Sequence, residues 1–311
     1  MKVTLLAGGT GGAKLAHGFA MLDGVGLTVI VNVGDDAEMH GLHVSPDIDA
    51  LLYTLIGLLD EERGWGIRGD THSAHTMFDR LGAPTWFTLG DADLATNVER
   101  TRRLRAGERL TDATAGMASA LGISARILPA TDDRYRTRLQ TDEGLLDFQE
   151  YFVHRRQQPE VRSVRFDGVE TARPTPEVLD AIGESDLVVI GPSNPFVSIG
   201  STLELAGVRE AMMATNAVKV AVSPIIGGRA LKGPADRMLA SMGHEPSAVG
   251  VARLYSGLIG RFVLDETDTS LAPAIEALGM AADIRPTVMG SDTDRMALAA
   301  ALIETRDMLT R

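Results

Sequence analysis

Residues 3–15 read VTLLAGGTGGAKL, an apolar strand that runs into a glycine-rich turn and then into a helix. Val3, Leu5 and Leu6 suit a buried strand. Gly8, Gly9, Gly11 and Gly12 permit positive φ and bring bare N–H groups close to a ligand. A helix starting near Ala13 aims its positive end at the same point, so a phosphate is the natural occupant, with Gly9, Thr10, Gly11, Gly12 and Lys14 as its contacts. No named motif fits. A dinucleotide fingerprint begun at Gly9 needs glycine where Lys14 stands, and no register supplies the Gly-Lys-Ser/Thr of a P-loop. The alternative is a tight strand-to-helix turn without a ligand, for which four glycines are more than a turn requires.

Outward from this turn, LTVIVN (27–32) is a second strand, and with the helix over 13–22 it completes a βαβ unit. DLVVI (186–190) and VKVAV (218–222) are continuous apolar runs, which indicates strands buried on both faces of a parallel sheet. Each is followed by a turn of polar, proline or glycine residues: VGDD at 33–36, GPSNPF at 191–196 and SPIIGG at 223–228. Ligands of such sheets bind beyond the carboxyl ends of the strands, so the four turns point to one crevice. GRFVLDE (260–266) and DIRPTVM (283–289) are late strand candidates, and residues 291–309 a terminal helix. The expected fold is therefore α/β, a doubly wound, mostly parallel Rossmann-like sheet. Its core comprises residues 1–60 and 180–311. Residues 61–179 form an inserted α+β cap, with helices over 71–81, 91–105 and 110–121 and strand-like pieces such as ARILPA and VRSVRF. A further helix is expected over 47–59.

The chain has 311 residues, 44% of them hydrophobic, and a net charge of −12 from 30 basic and 42 acidic residues. That balance argues against a general nucleic-acid binder. The absence of cysteine removes disulfides, thiolate metal sites and a cysteine nucleophile. No run approaches a membrane span, and a cytoplasmic protein is expected.

Asp35, Asp36, Asp47 and Asp49 fall within fifteen positions around a loop holding His40 and His43. Carboxylates beside a phosphate cradle suit Mg²⁺, which prefers a few carboxylates plus phosphate oxygens. The competing reading makes Asp47 a helix cap and Asp35 and Asp36 a solvated turn. Asn32, Ser193 and Asn194 are candidate donors to phosphate or base. Ser223, Pro224, Gly227 and Lys232 are candidates in the third turn. Trp65 and Trp86 are candidates for an aromatic pocket. No Gly-x-Ser-x-Gly elbow or kinase motif set supports covalent catalysis or kinase chemistry.

Nine ordered segments together resemble the 2-phospho-L-lactate transferase family of deazaflavin coenzyme F-420 biosynthesis. They are AGGTGGAKL (7–15), VNVGDD (31–36), HGLHVSPDIDALLYTL (40–55), ERGWGIRGDT (62–71), LGDADLAT (89–96), LPATDD (128–133), DFQEYFV (147–153), GPSNPFVSIG (191–200) and SPIIGGRALKGPAD (223–236). The resemblance implies transfer of a phospho-hydroxyacid from a guanosine-diphosphate-activated donor to the ribityl hydroxyl of the deazaflavin Fo, with release of GMP. It also implies a requirement for Mg²⁺ and a homodimer. The acid is 2-phospho-L-lactate, phosphoenolpyruvate or 3-phosphoglycerate. On this reading Asp49 and Asp36 are catalytic, and Asp49, Asp35 and Asp36 are metal ligands. Asp47, His43, Asp91, Asp93 and Trp65 would touch substrate. The chain departs from the family where an arginine and a histidine are usual and Ala92 and Asn97 stand; Arg100 or Arg102 are the candidates to replace the lost charge. The alternative function is a nucleotide or nucleotide-sugar binding regulator of the gluconeogenesis factor-like type. A nicotinamide oxidoreductase fails on Lys14.

Overall fold

The structure is a computed structural model and describes residues 1–309. Seven parallel strands form its central sheet: β1 (Lys2–Ala7), β2 (Gly26–Val31), β3 (Arg126–Pro129), β4 (Leu187–Ile190), β5 (Val218–Val222), β6 (Arg261–Asp265) and β7 (Ala281–Arg285). Their spatial order is β7-β6-β5-β4-β1-β2-β3. All pairings are parallel, with Leu6 opposite Ile30 on one side and Ile190 on the other. The chain thus winds outward from β1 in both directions, and the winding reverses between β1 and β4. This switch point is where doubly wound sheets open their ligand crevice.

Both faces of the sheet are covered, which explains the unbroken apolar runs. Leu5, Val29, Val189, Val220 and Val263 point to one core. There they meet Leu15 and Phe19 of helix α1 (Gly9–Ala20), Ile48 and Leu51 of α2 (Pro46–Leu55), and Leu298 and Leu302 of the C-terminal helix Asp292–Leu309. Leu6, Ile30, Val188, Ile190, Phe262 and Leu264 point to the other, against Ile182, Met212, Leu239 and Val251.

Helix α1 begins inside the glycine run, at Gly9 rather than near Ala13. Of the four glycines only Gly9 has positive φ, +62°. The others answer to close packing. A Cβ on Gly11 would lie 2.3 Å from the Pro192 carbonyl oxygen, and one on Gly12 would lie 2.9 Å from Ser193 Oγ. The turns after β1 and β4 are therefore pressed together backbone to backbone.

The stretch 61–179 contributes more to the core than a cap. Residues 126–129, expected within the inserted part, form β3, the edge of the main sheet, because Ile127 and Leu128 supply one apolar side chain to each face. Helices α3 (Ser73–Arg80), α4 (Asp91–Arg105) and α5 (Leu110–Ala120) precede it, and α2 stops at Leu55, short of residue 59. A separate antiparallel sheet follows, in the order Gly144–Asp147, Arg136–Thr141, Val161–Asp167. Leu139, Leu146, Tyr151 and Val161 of this part pack with Val197 and Met238 of the core, which holds the small sheet over the carboxyl end of the large one.

Candidate active site

At the switch point the chain delivers its first helix turn and its carboxylates to one place. The Gly9 amide donates to Asp47 Oδ1 at 2.7 Å, and Asn32 Nδ2 donates to Asp47 Oδ2 at 2.9 Å. Asn32 Oδ1 in turn accepts from the Gly34 amide and from Ser201 Oγ. Asn32 thus ties the ends of β1 and β2 to the short helix Ile199–Leu203 that follows β4. Neither Asp47 nor Asp49 caps its own helix, which sets aside the competing reading of Asp47 as a helix cap. Asp47 reaches back to α1, and Asp49 turns inward to Arg100.

Asp35 and Asp36 are buried, and one oxygen of each, Oδ1, has no hydrogen-bond partner among the described residues. Asp36 Oδ2 pairs with His43 Nε2 at 2.8 Å and accepts from Ser45 Oγ at 2.8 Å. Burial, reinforced by the charge of Asp47, pushes Asp35 well above the usual carboxylate range. Burial likewise pushes Asp47 up to about 6. Desolvation of neighbouring carboxylates raises each pKa because the ionised forms lose water and repel one another. Among the described residues no three carboxylate or imidazole groups converge at metal-ligand spacing. A cation here would have two carboxylates at most and would draw its other ligands from phosphate and water, which is the arrangement Mg²⁺ prefers.

Asp49 sits behind this cluster. It forms a two-pronged ion pair with Arg100, which is 1% exposed and also donates to Asn97 Oδ1 and the His43 carbonyl. Burial raises the Asp49 carboxyl and Arg100 opposes the rise. Asn97, which stands where the family histidine is usual, is fully buried and serves Arg100. Asp93 accepts from Tyr53 Oη at 2.8 Å, and burial followed by the Asp49 charge pushes it up to about 7.

Several other sequence candidates have partners within the chain. Lys14 pairs with Glu61 at 3.2 Å and donates to the Met289 carbonyl, so α1 carries it away from the first turn and against the C-terminal segment. Ser193 Oγ accepts from the Gly8 amide, and Asn194 Oδ1 accepts from the amides of Phe196 and Val197. Ser223 closes a turn onto Ile225, next to Pro224, and the Gly227 amide donates to Asp268. Lys232 donates to the Glu61 carbonyl at 2.7 Å, under Gly64. Asp91 accepts from Thr71 Oγ1 and from the amides of Ser73 and Ala74, capping α3; the Thr71 bond first, then those amides, holds it down at about 2. Asp70 returns the service to α4 through the amides of Ala92 and Asp93. Trp65 is 44% exposed on a loop, with Arg63 above its ring.

Trp86, a candidate for an aromatic pocket, does line a cavity with Asp35 and Asp36, but the arginines of that cavity were not singled out. A space of about 740 Å³ opens beside Asp35 and Asp36, walled by Trp86, Phe148, His154 and Arg136. Trp86 and His154 stack with ring centroids 5.1 Å apart. A second space of about 580 Å³ shares Asp36, Arg134 and Arg136 with the first. The signal was present as Arg134 and Arg136 directly after LPATDD, but no spacing rule assigns a role to two arginines around the start of a strand.

Residues 3–304 match the profile of the family described as 2-phospho-L-lactate transferase CofD. The chain belongs to this family. The CofD match agrees with individual relatives. The chain is 39% identical over 303 residues to the 2-phospho-L-lactate transferase of Methanothermobacter thermautotrophicus, spanning 97% of each protein. It is 42% identical over 292 residues to the phosphoenolpyruvate transferase of Mycobacterium avium, spanning 85% of this chain and 87% of the relative. Among solved structures, a member of the UPF0052 family from Bacillus halodurans superposes with a TM-score of 0.64 at 17% identity, over 97% of this chain and 98% of the other. That likeness is one of fold. As a CofD-family member the chain is a transferase of the 2-phospho-L-lactate or phosphoenolpyruvate type. No helix among the described residues is long and apolar enough to cross a membrane.

Proposed function

We propose that this chain transfers a phospho-hydroxyacid from a guanosine-diphosphate-activated donor to the ribityl hydroxyl of Fo, releasing GMP, with Mg²⁺ as cofactor. The observation that carries this reading is the meeting, at one switch point, of the first-turn amides of α1 with three partly or fully buried carboxylates, two of which keep an unpartnered oxygen. A helix start favours a diphosphate. Desolvated, mutually repelling carboxylates favour a cation.

Asp35 and Asp36 are the residues that would hold Mg²⁺ through their Oδ1 atoms. Bound there with the donor, the ion supplies charge neutralisation to the diphosphate. The chain's own residues do the rest. The amides of Thr10 and Gly11 lie in the first helical turn and have no partner within the helix, so they are available to the bridging and leaving phosphate oxygens. His43 and Ser45 fix the rotamer of Asp36. The Trp86–His154 stack offers a flat apolar wall for the deazaflavin ring, as aromatic faces do. In the reaction the ribityl oxygen bonds to the phosphorus that carries the acid, the bond to the GMP oxygen breaks, and the hydroxyl proton passes to Asp47, whose pKa of about 6 suits a base near neutrality. Asp49 acts from behind, through Arg100 and the His43 backbone, and does not face the reacting atoms in this scheme.

The test is to incubate the purified chain with Fo, Mg²⁺ and each guanylylated acid in turn, and to follow GMP and the phosphodiester by mass spectrometry. A phosphodiester with one donor supports the reading and names the acid. No product with any donor overturns it.

A further inference from the structure

Arg136 is a cationic side chain facing two cavities without an ion pair. It lies on the strand Arg136–Thr141, half-buried, and its guanidinium donates to the backbone carbonyl of Tyr135 at 2.7 Å. No carboxylate stands within 4.0 Å of either Arg136 or its neighbour Arg134 among the described residues. Both line the space of about 740 Å³ and the space of about 580 Å³, together with Asp36. Of the other arginines nearby, Arg105 also lines the second space without an ion pair, but it does not line the first and donates to the Gly41 carbonyl; the rest are paired. Arg138 pairs with Asp147 and Asp167, Arg109 with Asp112 and Glu177, Arg102 with Glu99, and Arg100 with Asp49. Burial depresses the Arg136 guanidinium, and the Arg134 charge adds to that, opposed by Asp36. Asp36, Asp147 and Glu38 act on it from a distance but none is in contact, so its guanidinium keeps donors free toward the space it faces, and a partly buried charge with unmet donors is costly.

We propose that Arg136, assisted by Arg134, binds the carboxylate of the transferred acid and so selects carboxylated donors. The inference rests on the transferase reading above. The positions form a sequence along the crevice. The Gly9 amide touches Asp47, Asp47 lies within electrostatic reach of Asp35 and Asp36, and Asp36 shares its cavities with Arg136. In the proposed binding mode the diphosphate lies at α1 and the carboxylate pair, and the acid extends into the space that Arg136 lines. A guanidinium matches a carboxylate with two parallel N–H···O bonds, and its fixed charge cannot be neutralised by deprotonation. The alternative replacements for the missing family arginine at Ala92 are both occupied: Arg100 is sealed against Asp49 and Arg102 is engaged with Glu99 on the surface.

The experiment compares wild type, Arg136→Ala and Arg136→Lys on two donors, the guanylylated acid found active and the same diphosphate ester carrying an ethyl group in place of the acid. Wild type is expected to prefer the carboxylated donor in kcat/KM by about 10–100-fold, the worth of a charge-assisted pair. In Arg136→Ala this preference is expected to collapse to within about threefold, chiefly through KM, with Arg136→Lys between the two. Equal losses on both donors, with the preference kept, would mean that Arg136 serves the phosphates or the fold, and would overturn the assignment. If wild type turns over no donor, the transferase reading fails, and the anion site is judged separately by calorimetry with phosphoenolpyruvate as probe. Binding by wild type that is lost in Arg136→Ala retains the carboxylate site. Binding that is indifferent to the substitution, or absent from wild type, ends it.

Discussion

At the residue scale the strongest constraint is the buried Asp49–Arg100 pair. Two charges taken from water are kept only because each satisfies the other, and Asn97 and the His43 carbonyl take up remaining guanidinium donors. Removing one partner leaves the other uncompensated, so Arg100→Ala is expected to cost about 3–5 kcal/mol in urea unfolding. Replacing both, as in Asp49→Asn with Arg100→Met, is expected to recover most of that loss; a double variant as unstable as Arg100→Ala would contradict the pairing argument. Asp93 gives a second prediction, in pH. Its carboxyl is pushed up to about 7, so between the unfolded value near 4 and that value the folded state binds a proton that the unfolded state has released. Stability present below pH 4 is therefore lost as pH rises toward 7, by up to about 4 kcal/mol from this group. Asp93→Asn, which still accepts from Tyr53, is expected to flatten the decline of unfolding free energy between pH 4.5 and 7.5. An unchanged slope would reject the assignment.

At the scale of elements the glycine turn is the instructive case. Read as a sequence, four glycines signal a ligand cradle; in the fold three of them are required because other atoms already occupy the place of a Cβ. Gly11→Ala ought to gain about 1 kcal/mol of helix propensity on an open surface. Here its methyl would press on the Pro192 carbonyl at 2.3 Å, and a net loss of about 1–3 kcal/mol is expected in chemical denaturation. A stabilised Gly11→Ala would show that the β1 and β4 turns are not in such contact. The same contrast runs through the site. Strand identity was legible because apolar runs of four to six residues have one physical meaning, burial on both sheet faces. The clustering of Asp35, Asp36 and Asp47 near the glycine turn was legible from strand ends. The duties of Lys14, Asn194 and Ser223 were not, because a polar side chain beside a loop serves a ligand or its own backbone with the same chemistry. Only the fold shows that Glu61 and the local amides reach them first. The capping of α3 by Asp91 was not legible for a related reason: α3 begins eighteen residues earlier in the chain.

At the scale of the whole molecule the chain is acidic, and its carboxylates at the switch point are concentrated where the sheet, α1 and the inserted strands meet. β3 was legible as a strand, but its place at the edge of the main sheet was not, because it lies inside the stretch read as an insertion. The cavity was hidden because its walls come from residues 34–39, 86, 134–138 and 147–154, which only the docking of the small sheet brings together. Folding therefore brings Asp47 to the adjacent pair Asp35 and Asp36 and takes that pair out of water, and a divalent cation that prefers this desolvated site to the unfolded chain would stabilise the native state. At 100 times its dissociation constant such an ion contributes about 2.7 kcal/mol, a rise of a few degrees in unfolding temperature for a chain of this size. Mg²⁺ is expected to produce a saturating rise that sodium chloride of equal ionic strength does not, and Asp35→Asn with Asp36→Asn is expected to abolish the difference. The sign with pH follows from the raised carboxyls: Asp47 takes up a proton as pH falls through about 6, Asp35, held up by burial and by the charge of Asp47, takes one up above the usual carboxylate range, ionised oxygens are lost to the cation, and the Mg²⁺-dependent rise shrinks. A rise equal to that given by salt at pH 8, or one that grows as the solution is acidified, would separate the carboxylate cluster from metal binding and leave the switch point to the diphosphate alone.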